Sequence, residues 1–303
     1  MTRFSVIVPA HDRASTIERT VRSVLLAADV APGITVDLVV VDDGSTDATA
    51  DVVRSLAAED ARLTLVEQPN SGVAAARNAG MRHSRGDLLA FVDADDEVDP
   101  RWLALLASQL AGHDIVFCEG RAVRAGRPDE ARVPKPLGPA FADVTGVFLP
   151  GLFAVRRDVL DEAGGYAIPL RYSENTELGL RICRVLAARR EVRAGVVREP
   201  LVTIHLPPER RSHAYSHQNR LESALYLVRT HADRFALDPP LHGTYWAIAG
   251  VAAARLGRGR TAMTCFVRAA RAEPANRRHV ARAVAALVPP LRRRLWPAVV
   301  PGL

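Results

Sequence analysis

The 303-residue sequence predicts an α/β protein: a Rossmann-like, mostly parallel sheet with helices on both faces, followed by a helical C-terminal region. Three observations predict it. First, short apolar runs of strand length alternate with segments of helical period through residue 96, the pattern of parallel strands joined by crossover helices. Second, three of the runs end in polar clusters, at Pro9 to Asp12, Asp42 to Ser45 and Asp93 to Asp96. Ligands of open parallel sheets bind outside the carboxyl ends of the strands, so the three clusters belong to one rim. Third, from Asn219 onward the strand-like runs stop and helical stripes take over, beginning with Leu221, Leu225 and Val228. The expected division is an α/β domain over residues 1–218 and a helical, basic region over 219–303.

Phe4 to Val8 reads as a buried strand, ended by Pro9, which cannot continue a central ladder. After the loop Ala10-His11-Asp12-Arg13, the spacing of Ile17, Val21, Val24 and Leu25 gives an amphipathic helix to about Ala28. Val36 to Val41 is a second strand running into Asp42-Asp43-Gly44-Ser45-Thr46-Asp47, where Thr46 or Asp47 is placed to cap a helix carrying Val52, Val53 and Leu56. Leu63 to Val66 is a third strand. Asn70-Ser71-Gly72 then opens a helix containing Ala76-Arg77-Asn78-Ala79-Gly80. Leu88 to Val92 is apolar throughout, as expected of a strand buried on both faces, and it stops in Asp93-Ala94-Asp95-Asp96. In an extended chain Asp93 and Asp95 share a face, a spacing that suits one hard divalent cation; without it, like charges so close raise one another's pKa. The bland alternative is a solvated acidic turn capping the helix that begins near Pro100.

Trp102 to Ala111 reads as that helix, Ile115 to Cys118 as a strand, and the Pro-, Gly- and Arg-rich residues 124–140 as a loop. Val192 to Val197 and Leu201 to His205 are two more strands. His205, His213 and His217 follow in an Arg-rich stretch without zinc spacing.

An apolar content of 48% fits a globular protein, and no apolar run approaches the roughly 18 residues that cross a bilayer. The start runs directly into strand-like sequence and is not a secretory signal. Three widely spaced cysteines suggest neither zinc nor disulfides and favour the reducing cytosol. The net charge of +6 sits in the tail: from Val251 onward eleven arginines face the single acid Glu273. No aromatic interleaving, zinc finger or helix-turn-helix accompanies that charge, so nucleic acid is not the expected partner. The first strand-to-helix turn lacks the glycines of a dinucleotide fingerprint, and no P-loop ending is present. The closing Leu291-Arg292-Arg293-Arg294-Leu295-Trp296 suits the surface of an anionic membrane, where each basic residue contributes about 1 kcal/mol. A partner protein or the chain's own acidic domain are the other candidate surfaces.

Four stretches carry a family resemblance: Ser5 to Asp12, Val39 to Asp47, Asn70-Ser71-Gly72 through Gly80, and Gly86 to Asp96. In order and spacing they resemble the motifs of family 2 glycosyltransferases of the GT-A fold, over residues 4 to about 235. The resemblance implies an inverting transfer of a sugar from a nucleotide-diphosphate donor, UDP-sugar favoured, with Mn2+ or Mg2+. The implied acceptor is a glycan or lipid-linked hydroxyl in cell-surface assembly, at the cytoplasmic face of the membrane. By position, Pro9, Ala10 and His11 match the wall of the nucleobase, Asp42 the acid that bonds the base, and Arg77 and Asn78 the helix positions nearest the nucleotide. Asp93 is implied to face the ribose, Asp95 the metal and Asp96 the sugar, with His205 as a further metal ligand. A solvated helix face is the alternative for Arg77.

Ser173-Glu174-Asn175-Thr176-Glu177 resembles the family's Glu-Asp helix start, which holds the catalytic base. Here the chain departs from the pattern, because Asn175 stands where the family usually has Asp, and an amide takes no proton at useful pH. Glu174 is the preferred base, in the first turn where the helix dipole favours a carboxylate, and Glu177, on the same helical face, is the second. The departure also motivates a competing reading, a degenerate GT-A protein that binds a nucleotide or glycan without transfer. A nucleotidyltransferase is disfavoured by the missing Gly-rich first loop. Loops 124–140 and 206–217 are expected to choose sugar and acceptor. Residues 243–274 faintly resemble one tetratricopeptide helix pair.

Overall fold

The computed structural model describes residues 2–189, 191–206 and 217–297. The first unit comprises Met1–Leu137, Ala142–Ile168 and Asn175–Arg210; the second comprises Gly138–Phe141, Pro169–Glu174 and Arg211–Leu303.

In the first unit, β1 (Thr2–Ala10), α1 (Ile17–Asp29), β2 (Ile34–Asp43), α2 (Thr49–Glu59), β3 (Leu63–Gln68), α3 (Val73–His83) and β4 (Leu88–Phe91) alternate as expected. There follow β5 (Glu97–Val98), α4 (Trp102–Leu110), β6 (Ile115–Val123), β7 (Glu130–Arg132), β8 (Lys135–Pro136), β9 (Thr145–Gly146), β10 (Phe153–Arg156), α5 (Arg157–Ala163), α6 (Glu174–Ala188) and β11 (Ala194–His205). Helix α6 begins at Glu174, the last residue of the Pro169–Glu174 segment that belongs to the second unit. The large sheet runs β3-β2-β1-β4-β10-β6-β11-β5, with β7 paired to β6. The pairs among β3, β2, β1 and β4 are parallel, as is β6 with β11, whereas β10 is antiparallel to both neighbours and β5 to β11. The sheet is therefore mixed.

Three details differ from the sequence reading. Strand β1 does not end at Pro9 but runs through it to Ala10, with Pro9 the register partner of Val41. The two strands expected around Pro200 are one, β11, which passes the proline with register shifts on either side. Proline has no N–H to give the ladder, so the strand bulges instead of ending. Within 124–140, expected as loop, lie β7 and β8.

Alternation along the strands sets the layers. Phe4, Val6 and Val8 of β1 join Ile17, Val21 and Val24 of α1 and Trp102 and Leu106 of α4 in the main core. On the opposite face Val39 and Val41 of β2 pack on Ala76 and Ala79 of α3. Ile7 also points to that face. A Cβ on Gly80 would lie 2.3 Å from its Cγ2, so the missing side chain is what lets α3 reach β1. All three cysteines are free and buried.

The second unit holds α7 (His217–Thr230), α8 (Ala232–Ala236), α9 (Pro239–Arg255), α10 (Gly259–Ala272), α11 (Arg278–Leu287) and α12 (Pro289–Leu295). Asp238 caps α9 by accepting from the Leu241 N–H at 3.1 Å. Gly250 lets α9 and α10 approach, since a Cβ there would meet Phe266 Cε1 at 2.7 Å. Among the described residues no helix is long and apolar enough to cross a membrane.

Gly80→Ala is expected to cost about 1–3 kcal/mol by overpacking the α3–β1 contact, read as a lower urea midpoint with unchanged slope.

Candidate active site

The strand order places a topological switch point between β1 and β4: the chain moves outward from β1 through β2 to β3 and then returns to β1's other side as β4. Ligand sites of open sheets form in that crevice. Ala10 is the register partner of Asp42, and Ile7 is that of Phe91, two residues before Asp93, so the three polar clusters share one rim.

The acidic turn after β4 is held from outside by α1. Thr16 Oγ1 donates to the Ala94 carbonyl at 2.9 Å, Arg19 Nη2 to that of Asp95 at 2.8 Å, and Thr20 Oγ1 to that of Asp96 at 2.7 Å. The Asp96 N–H closes the turn on the Asp93 carbonyl at 3.0 Å. With the backbone fixed by side chains of another element, the carboxylates cannot relax apart.

Their electrostatics show the crowding. Asp95 is raised by burial first and by Asp93 second, with Arg13 Nε 3.5 Å from its Oδ2 acting the other way. Burial, then the Asp93 and Asp95 charges, push the Asp96 carboxyl up to about 8, although its Oδ1 accepts from the His205 N–H at 2.9 Å. Asp93 accepts from Arg77 Nη2 at 2.8 Å.

Arg77, expected near the nucleotide or on a solvated face, is 2% exposed. Its guanidinium lies 5.0 Å over the Tyr166 ring and reaches Asn175 Oδ1 at 3.5 Å. Tyr166 Oη also donates to Asn175 Oδ1, at 3.1 Å. A chain of contacts thus runs from Asp93 through Arg77 to the residue standing where the family has its base.

The loop after β1 is stitched to the loop after β2. Asp12, at φ 51°, gives its N–H to Ser45 Oγ at 3.0 Å and accepts from the Thr46 N–H at 2.8 Å, the contact that most lowers its pKa. Asp42 is buried and accepts from the Ser45 N–H at 3.3 Å. The position before α2 is Ala48, and neighbouring Asp47 accepts from the N–H groups of Thr49 at 3.0 Å and Ala14 at 3.1 Å. The His11 ring lies 3.2 Å from Asn70 Nδ2.

Two expected site residues have other employment. Asn78 clamps the backbone of Tyr166: its Oδ1 accepts from that N–H at 2.7 Å and its Nδ2 donates to that carbonyl at 2.8 Å. Its amide supports the wall of the site and is not turned to a ligand. Glu177, the second candidate base, is 1% exposed and both its carboxylate oxygens accept from Arg181. A buried, paired carboxylate of this kind does not collect a substrate proton. Glu174, the preferred base, is the first residue of α6.

His205 ends β11, and its Nε2 lies 2.7 Å from Glu97 Oε1. Its ring also lowers the Asp95 pKa. His213 lies outside the described residues, as does most of loop 206–217. Among the described residues no three His, Cys, Asp or Glu side chains converge tightly enough to hold an ion alone. The donor set nonetheless fits Mg2+ or Mn2+, which take one or two carboxylates and complete their shell with water or phosphate oxygens. Asp95 is the suited ligand, a hard oxygen whose charge is only partly offset.

Several residues that serve the site were not singled out in the sequence. Thr16, Arg19 and Thr20 are polar at helical spacing on an otherwise core-facing helix, a signal that was available. Asp43 accepts the N–H groups of Ser71 at 2.8 Å and Gly72 at 2.7 Å and so fixes the start of α3. Tyr166 carried only a loop signal.

The model of the family described as "Glycosyl transferase family 2" matches residues 5–164. The chain belongs to this family. Among curated relatives, the succinoglycan biosynthesis protein ExoO of Rhizobium meliloti (strain 1021) is 36% identical over 152 residues, 47% of this chain and 42% of that protein. ExoU of the same organism is 32% identical over 200 residues, 59% of this chain and 54% of that protein. The matches thus span about half of those relatives' length. Among solved structures, S. aureus TarS 1-349 in complex with UDP-GlcNAc superposes with a TM-score of 0.65 at 19% identity, covering 97% of this chain and 87% of that one. This likeness shows the GT-A fold. The mannosyltransferase PcManGT from Pyrobaculum calidifontis, in complex with GDP-Man and Mn2+, gives a TM-score of 0.54 at 26% identity, covering 96% and 82%.

The Asp96 shift has a sign that can be measured. Between about pH 4, where an unfolded Asp ionises, and about pH 8 the folded chain binds the extra proton, so stability falls as pH rises through that window. In chelator, urea unfolding at pH 5, 7 and 9 is expected to show that decline for the wild type and a flatter profile for Asp96→Asn.

Proposed function

We propose that the chain is an inverting glycosyltransferase that moves a sugar from a nucleotide-diphosphate donor to a hydroxyl acceptor. The observation that carries this reading is the acidic turn at the switch point, crowded, braced by α1 and linked through Arg77 to Asn175. Family membership supports it, as do relatives named for succinoglycan biosynthesis and neighbours bound to UDP-GlcNAc and to GDP-Man with Mn2+.

In this reading Pro9, Ala10, His11 and Asp42 form the nucleobase slot, whose two loops are tied together before any ligand arrives. Asp93, held by Arg77, faces the ribose, and Asp96 lies toward the sugar. Asp95, with His205, would hold Mn2+ or Mg2+, which would supply Lewis-acid stabilisation of the leaving diphosphate. Glu174 takes the proton of the acceptor hydroxyl as its oxygen bonds the anomeric carbon and the bond to the diphosphate oxygen breaks, inverting the centre. Arg77 steadies the far end of this array by bridging Asp93 and Asn175.

The choice of nucleotide is read by incubating the full chain with UDP-, dTDP- and GDP-sugars, each with Mn2+ and with chelator, and measuring nucleoside diphosphate release with an acceptor pool. Cation-dependent release from one donor class is expected, UDP first. Asp95→Asn lowers it by about 10–100-fold with weaker cation dependence. Glu174→Gln lowers turnover by about 10²–10⁴-fold while donor binding is retained. Donor binding without release in the wild type would favour the degenerate reading, for which Asn175 is the motivating observation.

The acceptor is proposed to be a glycan or lipid-linked hydroxyl met at the cytoplasmic face of the membrane. Support comes from Val280, Val284, Leu287, Leu291 and Leu295, exposed on α11 and α12 beside Arg292, Arg293 and Arg294. Flotation with anionic liposomes is expected for the full chain and lost on deleting residues 288–303; equal flotation of both would remove the basis for this contact.

A further inference from the structure

Within the second unit, the helices line an open pocket of about 340 Å³, inside the size range of small-ligand sites. Arg220, Arg255, Arg282, His217 and His279 line it, and among the described residues no carboxylate does. Four of their nitrogens, Arg220 Nε, Arg255 Nε, His217 Nε2 and His279 Nδ1, are buried without a hydrogen-bond partner. The His279 side chain is 3% exposed; it is fixed through Nε2, 2.9 Å from Glu273 Oε2, which leaves Nδ1 as the orphan. Arg220 lies 5.1 Å over the Tyr172 ring, a contact that engages its π face and not its N–H fork.

Buried donors without partners cost about 1–3 kcal/mol each, more when charged, and a fold normally avoids them. Here two such donors, Arg220 Nε and Arg255 Nε, gather on one cavity beside two unpartnered imidazole nitrogens. Burial first, then the guanidinium groups of Arg255 and Arg220, hold His217 below the usual histidine range, as a surplus of positive charge requires. The remaining wall is apolar: Ala247, Ile248 and Val251 lie at helical spacing on one face of α9. A carboxylate is satisfied by a single arginine fork, whereas several guanidinium groups lining one pocket suit the three terminal oxygens of a phosphate monoester.

We propose that this cavity binds a phosphorylated ligand, whose phosphate accepts from Arg220 and Arg255 and whose uncharged part lies along α9. The site is separate from the acidic rim and does not depend on the transfer chemistry proposed for it. Neither the family model, which ends at residue 164, nor the role read from the sheet assigns these residues.

The test is isothermal titration of the full chain with phenyl phosphate and with inorganic phosphate, in chelator. Both are expected to bind, phenyl phosphate more tightly. Arg220→Gln/Arg255→Gln is expected to weaken both at least about thirtyfold, and Asp42→Asn, at the sheet rim, to leave them unchanged. No binding, an undiminished affinity in the double variant, or loss on Asp42→Asn would overturn the proposal. A second readout guards against misfolding: Arg255→Gln removes a cation with an unpartnered donor, so the ligand-free thermal midpoint is expected to rise and its upshift by phenyl phosphate to vanish. A lowered midpoint would mark Arg255 as structural and overturn its role as a ligand. Co-sedimentation with phosphatidylglycerol vesicles that requires Arg220 and Arg255 identifies a lipid headgroup as the phosphate's source. Phenyl phosphate binding without it identifies a soluble phosphate ester.

Discussion

Repulsion among Asp93, Asp95 and Asp96 is the constraint on which the rest of the first unit depends. Three carboxylates within four residues at the end of a buried strand would spread apart if the chain let them; the carboxyls of Asp95 and Asp96 are raised by burial first and by the neighbouring charges second. Resistance comes from the helix that follows the first strand, whose Thr16, Arg19 and Thr20 grip three consecutive backbone carbonyls of the turn. Side chains that bind backbone leave the carboxylates their own direction. A cation placed among them relieves a tension the fold already maintains.

The same economy governs the cationic side. Arg77 is an almost fully buried charge, tolerable because Asp93, the Tyr166 ring and Asn175 surround it. Burying it couples the strand end to the start of α6, so the residue in the family's base position is held by the same network as the acid proposed to meet the ribose. An amide at 175 accepts from both Arg77 and Tyr166 without adding charge. It fits the network well, whatever it does to proton transfer.

Much of the parallel half of the sheet was legible because its signals are local: apolar runs, helical stripes, and acids where strands end; the stop expected at Pro9 was not one, since β1 continues through it to Ala10. What escaped depends on pairing across the chain. That β10 inserts antiparallel between β4 and β6 is decided by which edges remain open after the parallel strands assemble, and no local pattern encodes it. At the site, the run that stops in Asp93, Asp95 and Asp96 marked the rim, but these residues lie on a turn and not on the extended chain that the spacing argument assumed. Asn78 and Glu177 could not be distinguished from ligand-facing residues, because a side chain's use depends on what arrives opposite it, here the Tyr166 backbone and Arg181. In the helical region the sequence displayed its surplus of arginine but not the cavity that four unpartnered nitrogens share, since they come from three different helices.

The segment Arg77-Asn78-Ala79-Gly80 condenses this into four letters. Arg77 answers to charge, Asn78 to the hydrogen bonds of a distant backbone, Ala79 to the core, and Gly80 to the width of an isoleucine on β1. A motif of this kind is a transcript of unrelated demands that happen to fall on one turn of helix. Swapping it whole into another scaffold would carry over the letters while leaving behind Tyr166, Ile7 and Asp93, the listeners for whom each letter was written.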